Sequence, residues 1–152
     1  MTEGIVLVVR RTIHASAERI FAAWTRPEQL RVWWGPRPVT CSGAEVDLRV
    51  GGRYSIANAL PDGTTVVIEG EFLEIERPQK LVYTWRMGQG AQESSLVTVR
   101  FEERNEATEV IIVHENVPSA DVRVSHEKGW NGCLDGLGAF CALPLSPGSR
   151  AF

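Results

Sequence analysis

The segment from Ser119 to Leu143 carries the longest helical pattern in the sequence. At about 100° per residue, Val122, His126, Trp130, Cys133, Leu134, Leu137, Phe140 and Cys141 fall within a stripe about 120° wide, while Lys128, Asn131 and Asp135 lie opposite. One long helix with one apolar stripe cannot bury that stripe by itself, so the rest of the chain has to supply an apolar surface for it. The preceding residues say what kind of surface this is.

From residue 44 to residue 116 the chain is punctuated like a meander. Glu45 to Val50, Gly51-Gly52 and Arg53 to Leu60 read as a hairpin whose two-residue turn needs positive φ at both glycines. Pro61-Asp62-Gly63 makes the next turn. Thr64 to Glu76 is a long strand with Ile68 and Phe72 on one face and Glu69 and Glu71 on the other, and Gly70 marks a bulge or a bend. Pro78-Gln79 turns the chain again. Leu81, Tyr83 and Trp85 alternate, as do Val97, Val99 and Phe101 after the polar loop Gly88 to Glu93, and Asn105-Glu106 leads into a last strand, Thr108 to Asn116. With the weakly alternating residues 5 to 14 these make seven strands, all able to pair antiparallel.

Between the first strand and the meander the period changes to that of a helix. Ser16 is a good N-cap for a helix carrying Ile20, Phe21 and Trp24. Pro27 suits the first position of a second short helix, Glu28 favours its positive end, and Gly35-Pro36 stops it. That second helix and its exit hold Trp33 and Trp34, two of the five tryptophans in the chain. Neighbouring helical residues point about 100° apart, so the two rings cannot enter one slot. One is expected to plug the core and the other to wall any space between the short helices, the sheet and the long helix.

Composition narrows the function classes. The chain has 152 residues, 43% of them hydrophobic, which is enough for one core and a single domain over residues 1–143, followed by a flexible Pro-, Gly- and Ser-rich tail, residues 144–152. The net charge of −3 and the lack of a basic, aromatic-interleaved stretch leave no footprint for nucleic acid. No apolar run approaches the roughly 20 residues of a membrane span, and Ile5 to Val9 is too short for a signal-peptide core, so a cytoplasmic protein is expected. The three cysteines, Cys41, Cys133 and Cys141, have no framework spacing; in a helix the last two lie about 12 Å apart, beyond disulfide reach.

The order β-α-α-β₆-α implies a helix-grip arrangement of the α+β class: a seven-stranded curved antiparallel sheet, two short helices and a long C-terminal helix. Five stretches carry a family resemblance as well, namely RRTIHASAERIFAAWTRPEQLRVWWGP, EVDLRVGGRY, GEFLEIERPQKLVYTW, TEVIIVHEN and HEKGWNGCLDGL. In sequence and order they resemble the domain related to the activator of the heat-shock protein 90 ATPase, in the START-like or SRPBCC superfamily, from about Val9 to Leu143. The superfamily implied by this resemblance includes lipid carriers, plant-allergen relatives, polyketide cyclases and stress-response co-chaperones.

The residues themselves offer no catalytic constellation: there is no G-x-S-x-G elbow, no H-E-x-x-H, no paired C-x-x-C and no phosphate-cradling glycine loop. His126 sits within the apolar stripe and His114 shares a strand face with Val110 and Ile112, so the two are either hydrogen-bonded structure or polar handles for a ligand. Arg11, on the apolar face of the first strand, poses the same choice. Gly129, Gly132 and Gly136, on the flank of the stripe, either let the sheet approach closely or leave room for a guest. The leading expectation is a small apolar or aromatic ligand held between the sheet and the terminal helix by Trp33, Trp34, Tyr54, Trp85, His114, His126 and Trp130, with no metal and no tightly held cofactor. A chaperone-associated module acting through its surface, and a cyclase or hydrolase using pocket histidines, stand as alternatives; a homodimer is left open.

Overall fold

A computed structural model describes residues 5–35, 38–87 and 95–142. Pro36, the polar loop from Gly88 to Glu93 and the C-terminal tail lie outside the described residues. Alternation of Leu7, Val9 and Ile13 toward the core makes β1 (Ile5–Ile13). Ser16 then caps α1 (Ala17–Thr25), its hydroxyl accepting from the Arg19 N–H at 3.1 Å. Ile20, Phe21 and Trp24 form the buried face of α1. Arg26, in an extended conformation, ends α1 and opens α2 (Pro27–Trp33), where Pro27 takes a first-turn position whose missing N–H costs nothing. Gly35 follows at φ 110°, and a Cβ there would lie 2.8 Å from the Val39 carbonyl oxygen, so only glycine lets the chain double back this tightly.

The remaining strands are β2 (Thr40–Val46), β3 (Arg53–Ala59), β4 (Thr65–Glu76), β5 (Lys80–Met87), β6 (Ser95–Arg104) and β7 (Ala107–Val117). They form one sheet in the order β1-β7-β6-β5-β4-β3-β2, antiparallel at each pairing, with β1 returning beside β7. Asp62-Gly63 lies in the turn joining β3 to β4, its carboxylate accepting from the Thr64 N–H and hydroxyl. Asn105 and Glu106, both at positive φ, close the β6-β7 hairpin between Arg104 and Ala107.

One hairpin differs from expectation. β2 starts at Thr40 and stops at Val46, Asp47 to Gly52 form the connection, and of the two glycines only Gly51 has positive φ. Leu48 and Val50, which alternate like strand residues, are 37% and 63% exposed. The backbone accounts for this. Gly51 N–H donates to the Phe72 carbonyl and Phe72 N–H to that of Gly52, so the ladder with β4 continues through the glycines after pairing with β2 has ended. Gly70 serves close approach: a Cβ there would collide with the Thr84 carbonyl oxygen of β5 and press on the Tyr54 ring.

The long helix α3 (Ala120–Ala142) is pinned by its C-terminal half, where Trp130, Cys133, Leu134 and Leu137 are buried. A Cβ on Gly136 would collide with the Trp33 carbonyl oxygen, so this glycine sets the approach of α3 to α2. Arg11 reaches out from the inner face of β1 to Asp135 Oδ1 at 2.8 Å and Asn131 Oδ1 at 3.2 Å, fastening β1 to α3. In the N-terminal half of α3, Val122 and His126 are only half-buried, and the space beneath them is the site.

Candidate functional site

A cavity of about 410 Å³ lies between the N-terminal half of α3 and strands β3 to β5, within the roughly 300–1,000 Å³ range of small-molecule pockets. Val122, Ser125, His126, Gly129, Trp130 and Cys133 form its α3 wall. Asn58, Val66, Ile68, Trp85 and Met87 form its floor on the sheet, and Trp34, Val39 and Leu60 close the rest. Among the described residues, no Lys, Arg, Asp or Glu lines it.

The adjacent tryptophans part company here. Trp33 turns back under α1, donating its indole N–H to the Ala23 carbonyl at 2.9 Å with its ring 5.1 Å from that of Trp24; it plugs the core. Trp34, at the end of α2, walls the cavity and donates to Asn58 Oδ1 at 2.9 Å. The Asn58 amide in turn donates to the Ile56 and Val66 carbonyls, so it is held on three sides. All five tryptophans join one continuous cluster through ring contacts of 5.1 to 6.2 Å.

Of the seven residues expected in the site, Trp34, Trp85, His126 and Trp130 line the cavity, and Trp33, Tyr54 and His114 do not. The Tyr54 hydroxyl donates to the Thr84 carbonyl at 2.6 Å, and burial keeps its pKa well above the usual value. His114, fully buried, stands one layer behind the wall. Sequence reasoning missed Asn58 as part of the wall. Its signal was a polar residue continuing the inward alternation of Tyr54 and Ile56.

The histidines form a parallel stack with centroids 4.8 Å apart and planes 7° from parallel. Trp130 Nε1 donates to His114 Nδ1 at 3.1 Å, and since an indole nitrogen can only donate, Nδ1 has to be the unprotonated nitrogen. Nε2 therefore carries the proton and donates to Ser95 Oγ at 2.7 Å, while Ser95 donates onward to the Trp85 carbonyl at 3.3 Å. Burial, reinforced by the nearby His126, pushes the His114 pKa down to about 3. His114 thus presents an N–H to Ser95 rather than a lone pair, the reverse of what a nucleophile-activating base requires. Burial also lowers the pKa of His126 and raises that of the Cys133 thiol to about 12. Neutral imidazole, neutral thiol and three indoles leave the wall formed by the described residues uncharged at pH 7. Among the described residues no group of three or more His, Cys, Asp or Glu is placed to hold a metal ion, and no helix is long and apolar enough to cross a membrane.

The sequence matches, over residues 14–142, the family described as activator of Hsp90 ATPase homolog 1-like protein. The chain belongs to this family. Among solved structures similar to this chain is that of a Chromobacterium violaceum protein, 26% identical with a TM-score of 0.84 over 91% of this chain and 98% of that one. The AHSA1 protein of Silicibacter pomeroyi is 22% identical with a TM-score of 0.79 over 89% of this chain and 96% of its own. A Mycobacterium smegmatis protein is 20% identical with a TM-score of 0.78 over 91% of both chains. These likenesses support the helix-grip fold. No curated protein matches the sequence of this family member.

Proposed function

We propose that this chain is a single-domain cytoplasmic protein that binds a small, mostly apolar or aromatic molecule in the cavity between the sheet and α3. The observation that carries the reading is an uncharged space of about 410 Å³ walled by three indoles, beneath a helix whose stripe is left half-buried where it faces that space. Gly129 supports it: a Cβ at this position meets no atom within 4 Å, whereas at Gly136 it would collide with backbone. The two glycines on one helix flank thus divide between leaving room and close packing. All three cysteines are free, in keeping with a reducing compartment.

The test is native mass spectrometry of freshly purified protein, with small-molecule analysis after denaturation, beside titration with the neutral dye Nile red. A co-purifying molecule or stoichiometric dye binding is expected, and Gly129→Leu, which fills the cavity, should abolish it. Dye binding unaffected by Gly129→Leu would place the apolar site elsewhere and refute the reading. The family description favours a second reading, a chaperone-associated module. Stimulation of an Hsp90-type ATPase by the purified protein, undiminished in Gly129→Leu, would favour it.

A further inference from the structure

Within the cavity wall, the hydrogen-bonding capacity of nearly every polar group is already used internally. Asn58 is held by Trp34, Ile56 and Val66, and the Trp130 N–H is taken by His114. Three groups are left over among the described residues, the first being the Ser125 hydroxyl, exposed on α3. His126 lines the cavity and makes no hydrogen bond through either ring nitrogen, its face being stacked on His114. Trp85, 6% exposed, also lines the cavity, and its buried indole N–H has no acceptor. A buried donor left unpaired costs about 1–3 kcal/mol, but that N–H is sealed from solvent, so it is the His126 ring that stands free to meet a guest in the cavity. The Trp85 ring packs edge to face against that of His126, with centroids 5.9 Å apart.

Resting on the ligand-binding reading above, we infer that the molecule held here is an uncharged aromatic or alicyclic alcohol or phenol, its single hydroxyl donating to His126. The ring system lies against Trp34 and Trp130, and His126 determines specificity by recognising the hydroxyl proton. A carboxylate is rejected because, among the described residues, no Lys or Arg lines the cavity to offset the loss of its hydration. Burial keeps His126 neutral at pH 7, so its ring offers one acceptor nitrogen to that proton.

The experiment is displacement of Nile red at pH 7.5 by four probes sharing one ring system: naphthalene, 2-naphthol, 2-methoxynaphthalene and 2-naphthoate. Naphthalene should bind. 2-Naphthol should bind about three- to tenfold more tightly, the worth of a net hydrogen bond, and 2-methoxynaphthalene should lose that advantage for want of a proton. 2-Naphthoate should bind more weakly than naphthalene. In His126→Phe the advantage of naphthol over naphthalene should vanish. The inference is overturned if 2-naphthol and 2-methoxynaphthalene bind alike to the native protein, if naphthoate binds best, or if the naphthol advantage survives in His126→Phe. In those cases naphthalene binding blocked by Gly129→Leu would still uphold the cavity as the site. Absence of any probe binding would overturn both readings together. The comparison of naphthol with its methyl ether uses the unmodified protein, so it decides the matter even if the variant folds poorly.

Discussion

Lowering the pH should unfold this protein through His114 more than through any other histidine. The ring is fully buried, its Nδ1 is occupied by the Trp130 N–H, and its pKa falls from 6.5 to about 3. In the unfolded chain His114 takes up a proton below pH 6.5, whereas the folded protein refuses it down to about pH 3. The unfolded state therefore binds more protons in that window, and stability is lost as the pH falls through it. At about 1.4 kcal/mol per pKa unit, the loss from this one group is about 2 kcal/mol between pH 7.5 and 5 and about 3 kcal/mol by pH 4. Carboxylates and the other histidines also respond to acid, so the measurement is a difference. Urea melts followed by circular dichroism should be run on the native protein and on His114→Asn, which keeps an acceptor for Trp130 but cannot take up a proton. The variant should be the less stable at pH 7.5, and its deficit should shrink by about 2 kcal/mol at pH 5. A deficit constant to within about 0.5 kcal/mol would mean that His114 is not held neutral by the fold and would refute the argument.

The glycines of α3 should respond oppositely to one added methyl group: thermal melts should show Gly129→Ala stabilised by up to about 1 kcal/mol through helix propensity, and Gly136→Ala destabilised because its Cβ meets the Trp33 carbonyl. Equal effects would mean that α3 is not seated as described. Trp33→Leu should cost about 2–4 kcal/mol with Nile red affinity little changed, whereas Trp34→Leu should cost less and weaken dye binding at least several-fold; two variants alike in both assays would reduce the pair to ordinary core. Arg11→Met should cost no more than about 1 kcal/mol, the difference fading in high salt, because its partner Asp135 is 73% exposed. A change in dye affinity in that variant would show that Arg11 belongs to the site after all.

The strand order was legible because each hairpin from β3 onward announces itself with local turn chemistry, as at Asp62-Gly63 and Asn105-Glu106. β2 was not. Its residues, TCSGAEV, lack apolar alternation, because an edge strand half-exposed on both faces has little to alternate for, while Leu48 and Val50, beyond its end, imitate a strand and are exposed. Periodicity records the spacing of apolar residues and is blind to whether anything covers them. The same limit applies to α3. Its stripe was read correctly from Val122 to Cys141, but an amphipathic pattern cannot distinguish a seam packed on the sheet from a wall facing empty space, so Val122 and Leu134 looked equivalent and are not.

The paired tryptophans show where local reasoning ends and chain path takes over. Helical geometry alone requires that Trp33 and Trp34 diverge, and they do, yet nothing in that spacing says which ring enters the core. The answer depends on Gly35, which precedes Asn58 by β2 and most of β3. Because Gly35 reverses the chain toward β2, the residue just before it is carried out of α2 and over β3, where the Asn58 amide holds its indole; the residue one step earlier stays under α1. His114 follows the same logic at longer range. Its strand face was evident, but the nitrogen that carries its proton is fixed by Trp130, 16 residues away on another element. Chemistry in this cavity is therefore decided by pairings between elements: the donors that fold the protein have already claimed Asn58 and His114, and among the described wall residues His126 and Ser125 are left to address a guest.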